Sequence, residues 1–440
     1  MHEYFYTLAD AITALLKDDE IYTCTFRGED SDFVRFNRSA VRQAGTVAQR
    51  FLNLDLIRGQ RHAAADVALS GDLEEDRARL AQAVAKLREQ LPYLPEDPYL
   101  LYATEVQSSV HEGENALPDS ASAVAAVLDA GRGRDLVGFY AAGGIYAGFA
   151  NAFGQRNWFA SYNFNCDWSF YHQADKAVQT AYAGFVWEPD EFARKVATAA
   201  EQLEQLRQAP RTIPPGHYRV YLAPAALDDV LHTLTWGGFG LKDHRTKQTT
   251  LLKMVEEGAR LHPAVTLREN TRDGVAPNFQ GAGFIKPDQV TLIEAGAFRH
   301  CLVSPRSAQE YGVPTNGASH GETPQSLDMA AGDIPRQDVL QRLDTGVYIN
   351  NVWYLNYSDR SACRMTGMTR FATFWVEHGV IQAPLNVMRF DASMYHMLGE
   401  HLLSLTRERE LILNTSTYHQ RSTRSSRVPG ALVDDFNFTL

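Results

Sequence analysis

The chain is expected to be an α+β protein, with an N-terminal antiparallel sheet flanked by helices followed by a strand-rich, barrel-like C-terminal domain. Three observations carry that expectation. Polar and apolar residues alternate at period two through much of residues 22–57, the pattern of strands with one solvated face. Residues 73–91 and 192–206 instead repeat apolar side chains at helical spacing. Beyond the breaker Thr212-Ile-Pro-Pro-Gly216, short apolar runs separated by Gly, Pro and Asn turns dominate and helices become few.

Taken in order, Leu8, Ile12, Leu15 and Leu16 give an opening amphipathic helix. Segments 22–26, 33–36, 46–52 and 55–57 read as strands of a meander. A charged helix at 73–91 presents Leu80, Val84, Leu87 and Leu91 on one side, and the connector LPYLPEDP follows. After a sub-boundary near residue 118 comes another helix. The run LVGFYAAGGIYAGFANAF at 136–153 holds four glycines, too many for a membrane helix. It reads as two strands about a Gly143-Gly144 turn, with Asn151-Ala-Phe-Gly154 as the next turn. Aromatic strands are expected at 158–171 and 181–187, then a helix burying Phe192, Val196, Ala199, Ala200, Leu203 and Leu206. The breaker at 212–216 divides a domain at 1–212 from one at 213–440. The second opens with a strand at 218–222 and a helix carrying Leu227, Val230 and Leu231. Strands at 290–293, 347–350, 352–355 and 371–376 follow, then one late helix at 392–406.

At 440 residues, 45% of them hydrophobic and 22% charged, the chain has material for two cores. A net charge of −11 argues against binding a phosphate backbone, so no nucleic-acid partner is expected. Arg421, Arg424 and Arg427, set among serines, read as a solvated loop. Cys24, Cys166, Cys301 and Cys363 share no CxxC spacing and read as buried small hydrophobes in a reducing compartment. The start MHEYFYTLAD shows no secretory pattern, so a soluble, cytoplasmic protein without membrane contact is expected. No glycine-rich phosphate loop or GxSxG elbow occurs.

The most informative stretch is residues 366–384, TGMTRFATFWVEHGVIQAP. Phe371, Thr373, Trp375 and Ile381 with a turn at Gly379 make a hairpin, and composition alone would leave it an ordinary surface hairpin. Yet Thr-Gly, Arg, an aromatic strand, Glu-x-Gly and Pro in that order resemble a signature of the TldD/TldE (PmbA) family of peptide-processing proteins. Three further segments extend the resemblance along the chain: Asn151 to Gly154; GHYRVYLAP at 216–224; and LIEAG at 292–296 with YGVPTNG at 311–317.

The resemblance implies a heterodimer in which one subunit holds zinc on an HExxxH helix and both enclose a peptide channel. This sequence has no HExxxH. By this resemblance, Leu234 and Phe239 stand at the two histidines and Thr235 at the glutamate, and no cysteine follows Cys363 to act as the third ligand. The chain thus resembles the TldE half. It is expected to have no catalytic residue, metal or cofactor of its own, with zinc in a TldD-like HExxxH partner and a homodimer forming in isolation. Arg364, Thr366, Gly367 and Arg370 are the expected contacts to a peptide substrate, and arginines there would favour carboxylate groups.

His396, Glu400 and His401 form a reversed HExxxH. Five residues apart on a regular helix lie about 140° apart, poorly placed to share an ion. Met394, Met397, Leu398, Leu402 and Leu405 read as the packed face of that helix. His232 and His244 flank the degenerate site and are expected to be satisfied or exposed. Asp434-Asp435 has no partner at a useful spacing. Two other functions stay open: a self-sufficient, homodimeric hydrolase using the His396/His401 pair, and a protein-binding modulator of the gyrase-modulator type.

Overall fold

The computed structural model describes residues 1–440. Helix α1 (His2–Leu15) buries Phe5, Leu8, Ala9 and Ile12. It packs with α2 (Leu73–Gln90), whose Asp72 cap accepts from the Glu74 and Glu75 amides, against Leu52, Leu54 and Leu56 of the first sheet. That sheet is built from β1 (Ile21–Asn37), β2 (Ala40–Arg58), β3 (Arg61–Ala68), β4 (Ser109–Glu112), β5 (Asp135–Asn151), β6 (Arg156–Gln173) and β7 (Lys176–Gly184). Its order is β3-β2-β1-β5-β6, with β4 parallel to one half of β6 and β7 antiparallel to the other. Helices α3 (Ser120–Ala130) and α4 (Pro189–Leu206) follow the chain onto a second core, which also takes in Ala372 and Phe374 of the C-terminal half.

Two expectations about this sheet are corrected. The four meander segments are two long strands, because the polar run from Arg27 to Asp32 continues β1 rather than ending it. Glu29 and Ser31 in that run are buried, which no local pattern would suggest. Likewise Gly143-Gly144 is not a turn. Gly143 lies mid-strand, opposite both Ser31 and Asn163. At φ +144°, a Cβ there would stand 2.1 Å from the Asp30 carbonyl oxygen, so the glycine serves close strand approach. The turn at Asn151 to Gly154 is present, with Asn151 Oδ1 accepting from the Phe153 and Gln155 amides.

The C-terminal half runs β8 (Gly216–Leu222), α5 (Pro224–Leu234), α6 (Leu241–Arg245), α7 (Leu252–Glu256), β9 (Leu267–Asn270), β10 (Gln289–Glu294), β11 (Ala297–Phe298), α8 (Pro305–Tyr311), β12 (Ser326–Met329) and α9 (Val339–Leu343). It ends with β13 (Gly346–Asp359), β14 (Arg364–Glu377), β15 (Val380–Pro384), β16 (Arg389–Ser393), β17 (Leu402–Leu413) and β18 (Ser425–Phe438). Strand β8 pairs parallel to β13 and antiparallel to β18, so β18-β16-β14-β13-β8 closes on itself as a barrel-like ring. The α+β class and its strand-rich, barrel-like second half hold. The hairpin at Gly379 is β14–β15.

The helix expected at 392–406 is replaced by the end of β16, one turn at His396–Glu400 and the start of β17. Gly399, at φ −108° and ψ −106°, breaks it. No helix is long and apolar enough to cross a membrane.

Candidate functional site

A cleft of about 1150 Å³ separates the two halves. Helix α5 forms one wall. Pro224 starts it directly after β8, and Ala226, Leu227, Val230, Leu231 and Leu234 anchor one face in the core. The other face presents Asp228, Asp229 and His232, which the i, i+3 and i+4 spacings bring together.

All three are part-buried in the cleft wall. Burial pushes the Asp228 carboxyl up to about 6, against the hydrogen bond from Ser426 Oγ and the nearby Arg424. Burial and then the neighbouring Asp228 push Asp229 up to about 7, against Arg370. Across the cleft, burial raises Asp167 of β6 to about 6, although Gln179 Nε2 donates to its oxygens at 3.1 and 3.2 Å. Burial and the Arg424 guanidinium pull His232 down to about 4. Arg424 donates to His232 Nδ1 and, at 3.3 Å, to Thr235 Oγ1. The neutral imidazole therefore carries its proton on Nε2. At neutral pH the cleft holds a neutral histidine, a carboxyl pair close to its titration point, and the cations Arg370 and Arg424.

The solvated loop expected for Arg421, Arg424 and Arg427 is corrected: Arg424 lines the cleft and Arg421 is buried. Arg421 is 5% exposed and clamps the C-terminal segment onto the first sheet. It donates to Ser31 Oγ (3.0 Å), the Asn163 backbone and side-chain oxygens (both 3.0 Å) and the Gly143 carbonyl (2.8 Å). Glu29, 1% exposed at its side chain, lies 3.5 Å away. This partner explains why Glu29 and Ser31 are buried mid-strand.

The four expected substrate contacts are not brought to one place. Arg370 lies in the cleft, its guanidinium 4.7 Å from the Trp353 ring and 4.3 Å from that of Phe371. Arg364 instead pairs with Asp391 at 3.5 Å on a separate surface, outside the cleft. Thr366 Oγ1 donates to the Phe390 carbonyl and accepts from Arg389. Gly367 needs no unusual φ; a Cβ there would meet the Phe390 ring at 2.7 Å, so the close approach is made by this chain's own core.

The degenerate zinc-helix positions also move. Leu234 and Phe239 are fully buried in the core and Thr235 is 2% exposed; none lines the cleft. His232, Thr233 and Trp236 do. Read from the cleft-facing histidine, an HExxxH spacing runs from His232 through Thr233 to Gly237. One histidine is present, but threonine and glycine supply neither base nor second ligand, and the Arg424 cation occupies the imidazole's Nδ1. This donor set does not fit zinc. His244 is satisfied by the Gly238 carbonyl at 2.8 Å and stacks on Phe298.

Two strand edges border the cleft. β7 has only β6 as a strand partner, and β17 only β18, although residues 332–334 bond the β17 backbone at residues 405–407 and Asn350 Nδ2 donates to the Gln179 carbonyl. Both contribute lining residues: Gln179, Thr180 and Ala181 from one, Glu408, Glu410 and Ile412 from the other. The mouth carries Trp236, Trp353 and Tyr354, which are 41%, 41% and 77% exposed. The stretches of these edges left without a strand partner, such as β17 beyond Arg407, lie beside exposed aromatics and can bind an extended chain.

Fold and cleft together define a two-sheet α+β protein with a groove between its two halves, walled on one side by the helix that follows β8. The model of the PmbA/TldA metallopeptidase C-terminal domain matches residues 215–440, and the chain belongs to the TldD/TldE (PmbA) family. No curated protein matches it. TldE from Thermococcus kodakarensis shares the fold with a TM-score of 0.79 at 12% identity, covering 99% of this chain and 100% of that one. A protein named as a modulator of a DNA gyrase from Thermotoga maritima superposes with a TM-score of 0.77 at 15% identity, over 99% and 100% of the two chains. Another, from Bacteroides thetaiotaomicron, gives 0.74 at 13%, over 99% and 98%. At these identities the likeness establishes the fold.

Proposed function

We propose that the chain is the TldE-like, non-catalytic half of a heterodimeric zinc metallopeptidase that cleaves unfolded or modified peptides. The observation that carries this reading is the α5 face. On the cleft side of the helix that follows β8, this chain offers one neutral histidine, His232, bonded to Arg424, beside Thr233 and with no second histidine or glutamate. The remaining features of the cleft suit holding a peptide. The edges of β7 and β17 can hydrogen-bond a backbone irrespective of sequence, while the Trp353, Tyr354 and Arg370 group selects side chains or a terminal carboxylate. Zinc and the general base then belong to a TldD-like HExxxH partner, and the homologous subunits pair through related surfaces.

The direct test is association. Mixed with its HExxxH homologue, the chain is expected to form a complex of one copy of each at the expense of self-association, read by light scattering after size exclusion. Persistence of separate homo-oligomers would overturn the pairing.

A further inference from the structure

We propose that His396, His401 and Asp435 form a binding site for a divalent first-row transition-metal ion such as Zn²⁺, distinct from the cleft. None of the three lines the cleft, and this is the one place where three metal-ligating side chains converge.

Three departures from regular geometry build it. The turn at His396–Glu400 is wound as a π-helix, with the His401 amide donating to the His396 carbonyl at 3.1 Å. A five-residue spacing that would diverge on an α-helix therefore returns to the same side, and the two rings lie 4.0 Å apart between centroids. The third ligand arrives from β18, at an irregularity in its pairing with β8 between Val433 and Phe436. There Asp435 takes a left-handed φ of +57°. The Asp434 amide donates to the His401 carbonyl at 2.8 Å and locks this bulge to the turn.

The distances match what an ion requires. Asp435 Oδ2 is 3.2 Å from His396 Nε2 and 3.8 Å from His401 Nε2, and all three ligand atoms lie within 4.8 Å of one another. Tetrahedral Zn²⁺ with bonds of about 2.0–2.2 Å needs ligand atoms roughly 3.3–3.5 Å apart. Of the three pairs, His396–Asp435 at 3.2 Å is near that separation, and rotation of the half-buried His401 would close its distances to Asp435, now 3.8 Å, and to His396, now within 4.8 Å. Two imidazole nitrogens and one carboxylate oxygen are a donor set suited to such ions. His217 Nδ1 stands 3.1 Å from the other Asp435 oxygen, placed to orient the carboxylate from outside. His396 Nε2 also lies 2.8 Å from the Asp435 carbonyl oxygen. The ion takes that nitrogen's lone pair in place of this bond, with the ring proton moved to Nδ1. Bound metal would tie the C-terminal strand to the turn between β16 and β17.

The experiment is titration of the dialysed full chain, without any partner, with Zn²⁺ by calorimetry and with Co²⁺ by visible absorption. One equivalent is expected to bind, with Co²⁺ giving the intense d–d bands of a four-coordinate site. His401→Ala and Asp435→Asn should each lose binding by more than about 10-fold. His217→Ala should keep the stoichiometry and weaken affinity by about 10–100-fold. Zn²⁺ should raise the melting temperature of wild type but not of His396→Ala, with circular dichroism confirming that each variant is folded. Absence of stoichiometric binding by wild type would overturn the proposal. So would binding unchanged in folded His401→Ala, or binding abolished by His232→Ala in the cleft.

Discussion

Replacing Arg421 with methionine tests how the two halves are held in register. The guanidinium makes four hydrogen bonds to the first sheet and faces Glu29 at 3.5 Å, both side chains nearly sealed from water. Burial lowers its pKa to about 10, so it is still charged at neutral pH. Methionine fills the space but leaves the Glu29 carboxylate buried, with only Gln49 Nε2 and the Arg421 amide donating to it. Removing one partner of such a pair costs about 3–5 kcal/mol, far more than an exposed pair such as Arg207–Glu204, at about 0–1 kcal/mol. Urea unfolding at pH 7 should therefore show a large loss for Arg421→Met and almost none for Arg207→Met. Adding Glu29→Gln to Arg421→Met should recover part of the loss, because the stranded charge is gone. A loss below about 1 kcal/mol for Arg421→Met would refute the clamp.

Asp229→Asn should reveal the cost of ionising a carboxylate raised to about 7. Because the folded pKa lies above the unfolded value near 3.9, wild type loses stability as pH rises from about 4 through 7. The variant's advantage should grow over that window and level off above it; a flat difference in unfolding free energy would contradict this. His232 has the opposite sign in pH. Its folded pKa near 4 lies below the unfolded 6.5, so its contribution is present above about 6.5 and is lost as pH falls toward 4, a slope His232→Gln should remove. In the reconstituted peptidase, Arg370→Ala should raise KM by about 3–30-fold, as expected for an arginine braced on aromatic rings. Arg364→Ala, outside the cleft, should leave KM unchanged. Gly143→Ala forces a Cβ onto the Asp30 carbonyl and should cost about 1–3 kcal/mol or more by the same unfolding assay.

Helices α1, α2 and α4 were legible because each buries one apolar stripe in a local pattern. Long strands were not, because their length depends on distant partners: β1 passes through Glu29 and Ser31 only because Arg421, some 390 residues on, covers them. The late helix was misread for a related reason. Met394, Met397, Leu398, Leu402 and Leu405 fit helical spacing, yet Met397 and Leu398 lie in a π-wound turn, Met394 just before it, and Leu402 and Leu405 in a strand. That misreading also dismissed His396 and His401 as too far apart. Asp435, left without a partner by sequence spacing, is the residue they meet. On α5, Asp228, Asp229 and His232 did carry a local signal, an acidic doublet three and four positions before a histidine, opposite the apolar stripe. Leu234, Thr235 and Phe239, the positions aligned with HExxxH, are core residues, and the cleft-facing histidine is His232. Arg370 was found from the hairpin; Arg424 was not, since nothing in its serine-rich surroundings points to a buried anchor beside it.

The most direct test of the account is peptidase activity against an unfolded peptide, measured for this chain alone, for its HExxxH homologue alone and for the two mixed. Activity is the discriminating readout, since metal content alone would also register the His396, His401 and Asp435 site. The account predicts no cleavage by this chain and strong cleavage by the mixture, abolished when the partner's HExxxH glutamate is replaced by glutamine. Cleavage by this chain alone that is lost in Asp229→Asn or in His396→Ala, and so is intrinsic to it, would contradict it.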